Sequence, residues 1–180
     1  MEIPLITRWK NLGPLPTNTL LILDIDETVL CFPSISVAWW EDLLLQLTAK
    51  HSPEKAQQLA REEWLRIVST ETPVPTDPEG FRDLNEQMDR TGGRIVFLTA
   101  RMESFSYLTR RHLQACGVSK DVEIHFSSSK GEAIRGITAR HPLCTNVVFV
   151  DDKWTNVQDV QQRNPTVQCY QWGHVPAFKI

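Results

Sequence analysis

LLILDIDETVL, residues 20–30, joins a continuous apolar run to a cluster of acidic residues. The first four residues are all apolar, which is typical of a strand buried on both faces of a parallel sheet. The run ends at Asp24, and Asp26 and Glu27 follow closely. Three carboxylates at one strand end repel one another, and a bound metal cation would offset that repulsion. Because ligands of open α/β sheets bind beyond the carboxyl ends of the strands, this segment is either a site or a plain acidic turn.

Composition and charge limit the class of protein. The chain has 180 residues, of which 41% are hydrophobic and 23% are charged, as expected for one globular domain with its own core. The net charge is -3 and the isoelectric point is near 5.9. Binding to a phosphate backbone requires a basic surface, so we predict no nucleic-acid partner. A small anionic substrate remains compatible with this charge, because one lysine and one metal ion could bind it locally.

Cysteine spacing and hydropathy bear on the cellular compartment. The four cysteines are far apart and form no CxxC pair, which argues against a zinc site and against a disulfide scaffold, and favours single buried thiols. No apolar run approaches the roughly 18 residues that cross a bilayer. The first residues lack the apolar core and cleavage site of a signal peptide. We therefore predict a cytoplasmic protein with no membrane span, although export without such a signal would leave the same pattern. The sequence does not indicate an oligomeric state.

Strands and helices alternate along the chain. Predicted strands lie at residues 20–24, 94–98, 122–126, 147–150 and 167–171. Predicted helices begin near residues 78, 103, 130 and 154. This alternation predicts an α/β fold, with a central five-stranded parallel sheet and helices on both faces. Residues 1–19 are expected to be irregular, and residues 25–36 to form a loop or tight hairpin.

A helical insertion is predicted between the first and second strands. Residues 37–49 and 53–69 have helical patterns, Ser52 is a candidate N-cap, and the proline-rich residues 70–78 predict an extended connector. The predicted division is a core domain at residues 1–36 and 77–180 and a small helical cap at residues 37–76. Three tryptophans lie in this insertion: Trp39, Trp40 and Trp64. We expect them to pack the helix pair, with contact to a substrate as the alternative.

Polar residues recur at the ends of four predicted strands. They are Asp24 and Asp26, Thr99, Lys130, and Asp151 with Asp152. Each has an ordinary explanation, since a threonine or aspartate can cap the next helix and most lysines are solvated. Together at one edge of a parallel sheet, they supply what phosphoryl transfer to an aspartate needs. That chemistry uses a carboxylate nucleophile, a cation, a lysine and a hydroxyl for the phosphate oxygens, and a second acid.

Four segments resemble the motifs of the haloacid dehalogenase (HAD) superfamily of phosphohydrolases. DIDETVL at 24–30 resembles the first motif and is closest to that of acid-phosphatase-like members. VFLTAR at 96–101 resembles the second, Lys130 fits the third, and VVFVDD at 147–152 resembles the fourth. The run from Asp151 to Asn156 is also similar to an uncharacterised bacterial HAD-like family. The resemblance covers about residues 18–171 without 37–76, and implies a Rossmann-like three-layer sandwich whose insertion acts as a cap.

The resemblance also implies roles for individual residues. Asp24 would be the nucleophile and a Mg²⁺ ligand, and Asp26 the general acid and base, with its backbone carbonyl on the metal. The implied phosphate-binding residues are Thr99, Ala100 and Lys130. The implied remaining metal ligands are Asp151 and Asp152, and the implied loop-positioning residues are Thr28 and Asn156. For Arg101 two roles stay open, contact with substrate or a salt bridge at the sheet edge.

The predicted function is hydrolysis of a phosphomonoester through an aspartyl-phosphate on Asp24, with Mg²⁺ as cofactor. An acid at position 26 resembles the phosphatases rather than the dehalogenases, which lack it. The substrate would be a small phosphate ester if the cap closes over the site, or a phosphoprotein if the cleft stays open. Two alternatives remain: a non-catalytic binding module that uses the aromatic-rich insertion, and a phosphotransferase with the same site.

Overall fold

A computed structural model describes residues 2–35 and 38–173. The strands are β1 (Leu5–Ile6), β2 (Thr19–Leu23), β3 (Leu30–Cys31), β4 (Val74–Pro75), β5 (Arg94–Thr99), β6 (Glu123–Phe126), β7 (Asn146–Asp151) and β8 (Gln168–Trp172). The helices are α1 (Trp39–Thr48), α2 (Pro53–Thr70), α3 (Pro78–Thr91), α4 (Ser106–Ala115), α5 (Lys130–Arg140) and α6 (Trp154–Arg163). The predicted α/β class is confirmed, because a parallel sheet lies between helices in this structure.

The central sheet has six strands in the order β1-β8-β7-β2-β5-β6, and all neighbouring pairs are parallel. The prediction of five strands was therefore one strand short. The additional strand, β1, pairs with β8 through Leu5 and Ile6, within the segment predicted to be irregular. Two residues are too few to show a hydrophobic period, so only the pairing with β8 reveals this strand.

The central strand β2 is buried on both faces, which explains its unbroken apolar sequence. Successive side chains of a strand point to opposite faces, and the two cores follow that rule. Leu21 and Leu23 lie in one core, which includes side chains of α3 and α4. Leu20 and Ile22 lie in the other core, which includes side chains of α5 and α6. The β2 backbone is thereby fixed between two helical layers, and Asp24 follows directly at its carboxyl end.

A short antiparallel ribbon joins the insertion to the rest of the fold. Residue Leu30 of β3 pairs with Pro75 of β4, and Cys31 pairs with Val74. The expectations of a loop or tight hairpin at 25–36 and an extended connector at 70–78 were therefore incomplete, because these segments pair with each other. The predicted boundary between residues 36 and 37 lies outside the described residues.

The two helices of the insertion differ in burial. Helix α2 begins at the predicted cap, where the Ser52 side chain accepts a hydrogen bond from the Lys55 amide, and it buries Ile67 and Val68. All of α1 lies in the described part of the chain, and none of its residues is buried; Leu45 is 73% exposed. The insertion therefore contacts the main core chiefly through the second half of α2.

Other expectations concern thiols and membranes. The four cysteines, all within the described residues, are free thiols, and Cys144 is only partly buried. Among the helices of residues 2–35 and 38–173, none combines the length and apolar character that crossing a membrane requires.

Candidate active site

The loop after β2 turns back tightly and holds Thr28 against Asp24. Glu27 has a left-handed backbone with φ of 59°, which costs a non-glycine residue about 1–2 kcal/mol. Its amide donates to the Leu30 carbonyl at 2.8 Å. The Thr28 hydroxyl donates to Asp24 Oδ2 at 3.3 Å and accepts the Asp152 amide at 3.0 Å. Thr28 therefore ties the loop after β2 to the loop after β7.

Lys130 joins carboxylates from two adjacent strand ends. It is the first residue of α5, and its side chain is 1% exposed. The ammonium donates to Asp24 Oδ1 and, at 2.7 Å, to Asp151 Oδ2. Burial lowers the pKa of Lys130, but the Asp24 and Asp151 carboxylates outweigh burial, so its pKa is raised. The lysine stays charged and offsets part of the repulsion between the two acids.

Asp151 is held from its other side by the start of α6. Asn156 Nδ2 donates to Asp151 Oδ1 and Oδ2, both at 3.1 Å. The Lys153 amide donates to Oδ1 at 2.8 Å. These contacts fix a carboxylate that is 0% exposed, and they agree with the predicted positioning role of Asn156.

Three carboxylates form a group with the geometry of a cation site. One oxygen from each of Asp24, Asp151 and Asp152 lies within 4.8 Å of the others. When all three acids are ionised, the group has two negative charges that the Lys130 ammonium does not compensate. Burial raises the pKa of Asp152 to about 7, and the nearby Asp151 carboxylate acts in the same direction. Carboxylate oxygens are the ligands that Mg²⁺ prefers, and its two charges match the deficit, so these residues fit that ion.

Asp26 is oriented differently from the other acids. Its carboxylate accepts two hydrogen bonds from Arg101, from Nε to Oδ2 at 2.8 Å and from the second terminal nitrogen to Oδ1 at 2.6 Å. Of the two roles left open for Arg101, the structure therefore supports the salt bridge at the sheet edge. The side chain of Asp26 lies outside the three-carboxylate group.

The predicted phosphate-binding residues are only partly brought together. Lys130 is at the centre of the site, whereas the Thr99 hydroxyl, at the end of β5, accepts the amide of Arg101 at 3.1 Å. Thr99 is buried and Ala100 is exposed in the following loop. The structure thus places Thr99 and Ala100 at the expected edge, with the Thr99 oxygen directed to the backbone of its own loop.

Sequence reasoning missed the neighbours of Arg101. Trp64 of α2 lies over its guanidinium, with 5.6 Å from the carbon Cζ to the ring centroid, and Phe32 lies at 6.0 Å. The sequence predicts that Trp64 packs the helix pair, and the structure shows that it also contacts Arg101. One sequence signal could have predicted the pairing of Arg101 with an acid. Arg101 lies two residues after Thr99, beyond the end of β5, and the neighbouring strand β2 is followed by acidic residues.

A match to a family sequence model assigns the chain to a family. A sequence model described as "Protein of unknown function (DUF2608)" matches residues 9–130, more than half of the chain. The chain belongs to the DUF2608 family. The matched region contains Asp24, Asp26, Arg101 and Lys130, and it ends before β7. No curated protein sequence gave a significant match to this DUF2608 protein.

Solved structures resemble this DUF2608 protein at low sequence identity. A protein from Thermotoga maritima assigned as a beta-phosphoglucomutase is 16% identical, with 87% of this chain and 86% of that chain covered and a TM-score of 0.57. The class C acid phosphatase from Bacillus anthracis is 15% identical, with 89% and 69% covered and a TM-score of 0.49. The HAD domain of effector protein Lem4 from Legionella pneumophila is 12% identical, with 90% and 87% covered and a TM-score of 0.49. The fold resembles that of the protein from Thermotoga maritima.

Thr28→Val tests the tie between the two loops of this DUF2608 protein. The substitution keeps the shape but removes the hydroxyl, which leaves the partly buried Asp152 amide without its acceptor. We expect a loss of about 1–3 kcal/mol in the free energy of unfolding, measured by urea denaturation. Thr28→Ser, which retains the hydroxyl, should lose clearly less. Equal stability of the valine variant and the wild type would contradict the assigned contact.

Proposed function

We propose that this protein is a Mg²⁺-dependent phosphomonoester hydrolase that acts through an aspartyl-phosphate on Asp24. The observation that carries the proposal is the Lys130 ammonium, buried between the carboxylates of Asp24 and Asp151. This arrangement brings a nucleophile and a metal-ligand carboxylate, at the carboxyl ends of the adjacent strands β2 and β7, together with a cation from the start of α5. Ligands of such sheets bind at this edge. The name of the neighbour from Thermotoga maritima is consistent with phosphoryl chemistry on this fold.

The reaction proceeds in two displacements at phosphorus. In the first, a carboxylate oxygen of Asp24 attacks the phosphorus, the bond to the leaving oxygen breaks, and Asp26 gives that oxygen a proton. In the second, Asp26 takes a proton from water, whose oxygen attacks the phosphorus. The bond to Asp24 then breaks, which releases inorganic phosphate and restores the carboxylate.

Other residues bind the phosphate and the metal. Lys130 and the loop of Thr99 and Ala100 bind phosphate oxygens. The carboxylates of Asp24, Asp151 and Asp152, with the backbone carbonyl of Asp26, would hold Mg²⁺. When bound, the ion offsets the repulsion between the nucleophile and the anionic phosphate.

The insertion at residues 37–76 serves as a cap on a core domain formed by residues 1–36 and 77–180. Trp64 lies over the guanidinium of Arg101, which is the ion-pair partner of Asp26, so the cap is linked to the proton-transfer group through Arg101. The substrate is a phosphorylated small molecule if the cap closes over the site, or a phosphoprotein if the cleft stays open.

Removal of Mg²⁺ is the direct test. Hydrolysis of p-nitrophenyl phosphate should fall more than about 10²-fold in EDTA and recover with added Mg²⁺, because the ion supplies several kcal/mol of charge stabilisation. Mg²⁺ should also raise the thermal midpoint, by the equivalent of about 2.7 kcal/mol at a concentration one hundred times the dissociation constant. Asp151→Asn should abolish that rise, whereas Asp121→Asn, at an exposed acid outside the site, should preserve it.

Two results would redirect the assignment. Turnover unaffected by EDTA would exclude the metal role. Failure to hydrolyse any member of a broad panel of phosphate esters, with Mg²⁺ still binding, would favour the non-catalytic binding module, to which the exposed surface of α1 is suited. Phosphate transfer to an added alcohol at the expense of hydrolysis would favour the phosphotransferase.

A further inference from the structure

The ion pair between Arg101 and Asp26 has a specific geometry. The fork of the guanidinium contacts both carboxylate oxygens, at 2.8 and 2.6 Å, and so fixes the plane of the carboxylate. An ionised carboxylate offers about four acceptor positions, of which this pair uses two. The Asp26 side chain is 28% exposed and that of Arg101 is 2% exposed. Each oxygen of Asp26 thus keeps one position, and the open side of the carboxylate is the side away from Arg101.

Arg101 is itself held from several elements. Its remaining terminal nitrogen donates to the Thr109 hydroxyl at 3.3 Å and lies 3.0 Å from Nδ1 of His112, both in α4. Burial lowers the pKa of His112 to about 4, helped by Arg101, so the ring is neutral and Nδ1 can accept. The rings of Phe32 and Trp64 lie near the guanidinium. A cation with so many contacts cannot change its direction without moving parts of α2 and α4.

We propose that Arg101 is a positioning residue that fixes the Asp26 carboxyl group, which carries its proton at a position that Arg101 does not use, for proton transfer to the leaving oxygen. This inference rests on the proposed function, because it assigns the proton-transfer role to Asp26. Lys130, also buried, contacts Asp24 and Asp151. Lys130 and Arg101 therefore form ion pairs with different carboxylates. A shift of about 1 Å in a reacting group can cost about 10²-fold in rate, which sets the expected effect.

The test uses aryl phosphates that differ in the basicity of the leaving phenol and little in size. The p-nitrophenolate ion leaves without a proton, whereas the unsubstituted phenol depends on proton transfer. Wild-type kcat/KM should therefore fall only modestly from p-nitrophenyl phosphate to phenyl phosphate. Arg101→Gln should lose about 10²-fold with phenyl phosphate and less than about 5-fold with p-nitrophenyl phosphate. Arg101→Lys keeps the charge but loses the two-pronged contact, so its rate with phenyl phosphate should lie between those of the wild type and Arg101→Gln.

A double-mutant cycle separates positioning from a purely structural role. Asp26→Asn should show the same selective loss with phenyl phosphate. Adding Arg101→Gln to it should lower the rate no further, because both substitutions remove the same proton transfer. Arg111→Gln, at an exposed position of α4, is the control and should leave both rates unchanged. Kinetics are compared below the thermal midpoint of each variant; if Arg101→Gln fails to fold, Arg101→Lys and Thr109→Val provide the same comparison.

The outcomes are distinct. If the wild type hydrolyses both esters and the Arg101 variants slow both esters by the same factor, the positioning role is wrong and the proposed function stands. The same conclusion follows if the losses from Arg101→Gln and Asp26→Asn multiply in the double variant. If the wild type hydrolyses neither ester, the proposed function fails and the inference falls with it.

Discussion

Asp24→Asn is expected to reduce kcat for p-nitrophenyl phosphate by about 10⁴-fold or more. The amide of asparagine is a poor nucleophile and cannot form the acyl phosphate. The side chains have nearly the same shape, and Lys130 keeps its contact with Asp151, so the fold should be retained. Initial rates with Mg²⁺ present, together with circular dichroism, measure the effect.

Trapping the intermediate strengthens this test. Acid quenching during turnover should leave wild-type protein with a covalent phosphate on the peptide that contains Asp24, and the asparagine variant without it, as read by mass spectrometry. Asp83→Asn, at an exposed acid of α3, should behave as the wild type. Comparable turnover by the Asp24 variant, or a phosphate on another residue, would exclude the proposed nucleophile.

Lys130→Met is expected to lower the free energy of unfolding by about 3–5 kcal/mol in the absence of divalent cations, and to abolish turnover. Removing the ammonium leaves the buried carboxylates of Asp24 and Asp151 facing each other without the cation that they share. Added Mg²⁺ should recover part of the stability, because a divalent cation between the same carboxylates offsets their repulsion. Urea denaturation with and without Mg²⁺ measures both effects.

Two controls address the cause of that loss. Lys120→Met, at an exposed lysine, should change stability by less than about 0.5 kcal/mol. Combining Lys130→Met with Asp24→Asn should restore part of the lost stability, because one of the two repelling charges is gone. A Lys130 variant as stable as the wild type without Mg²⁺ would show that the buried pair contributes little.

The sequence was most informative where the signal was local. The apolar run of β2 and the start of α3 near residue 78 were found because burial on two faces and helix capping leave clear local patterns. Convergence of Asp24, Lys130 and Asp151 could be anticipated because parallel strands share one carboxyl edge. The roles of these residues stay predictions, since the family match and the similarity of fold leave them untested.

Features that depend on distant pairing were missed. Strand β1 exists through its bonds to β8, and the ribbon of β3 and β4 joins segments separated by the whole insertion. The pair of Asp26 and Arg101 likewise brings together two loops, and its surroundings come from α2 and α4. None of these contacts leaves a periodic pattern in one stretch of sequence.

The adjacency of β2 and β7 has a consequence for how the protein can vary. Asp24 and Asp151 follow neighbouring strands whose backbones are hydrogen-bonded, including the Asp24 amide to the Val150 carbonyl at 2.9 Å. Their separation is therefore set by the strand spacing of the sheet, independently of the helices inserted at 38–70. Asp26, by contrast, is oriented through an arginine that touches one of those helices. If the proposed function holds, exchange of the insertion should change the preference for the leaving group of the ester, while the spacing of the Asp24 and Asp151 carboxylates stays constant.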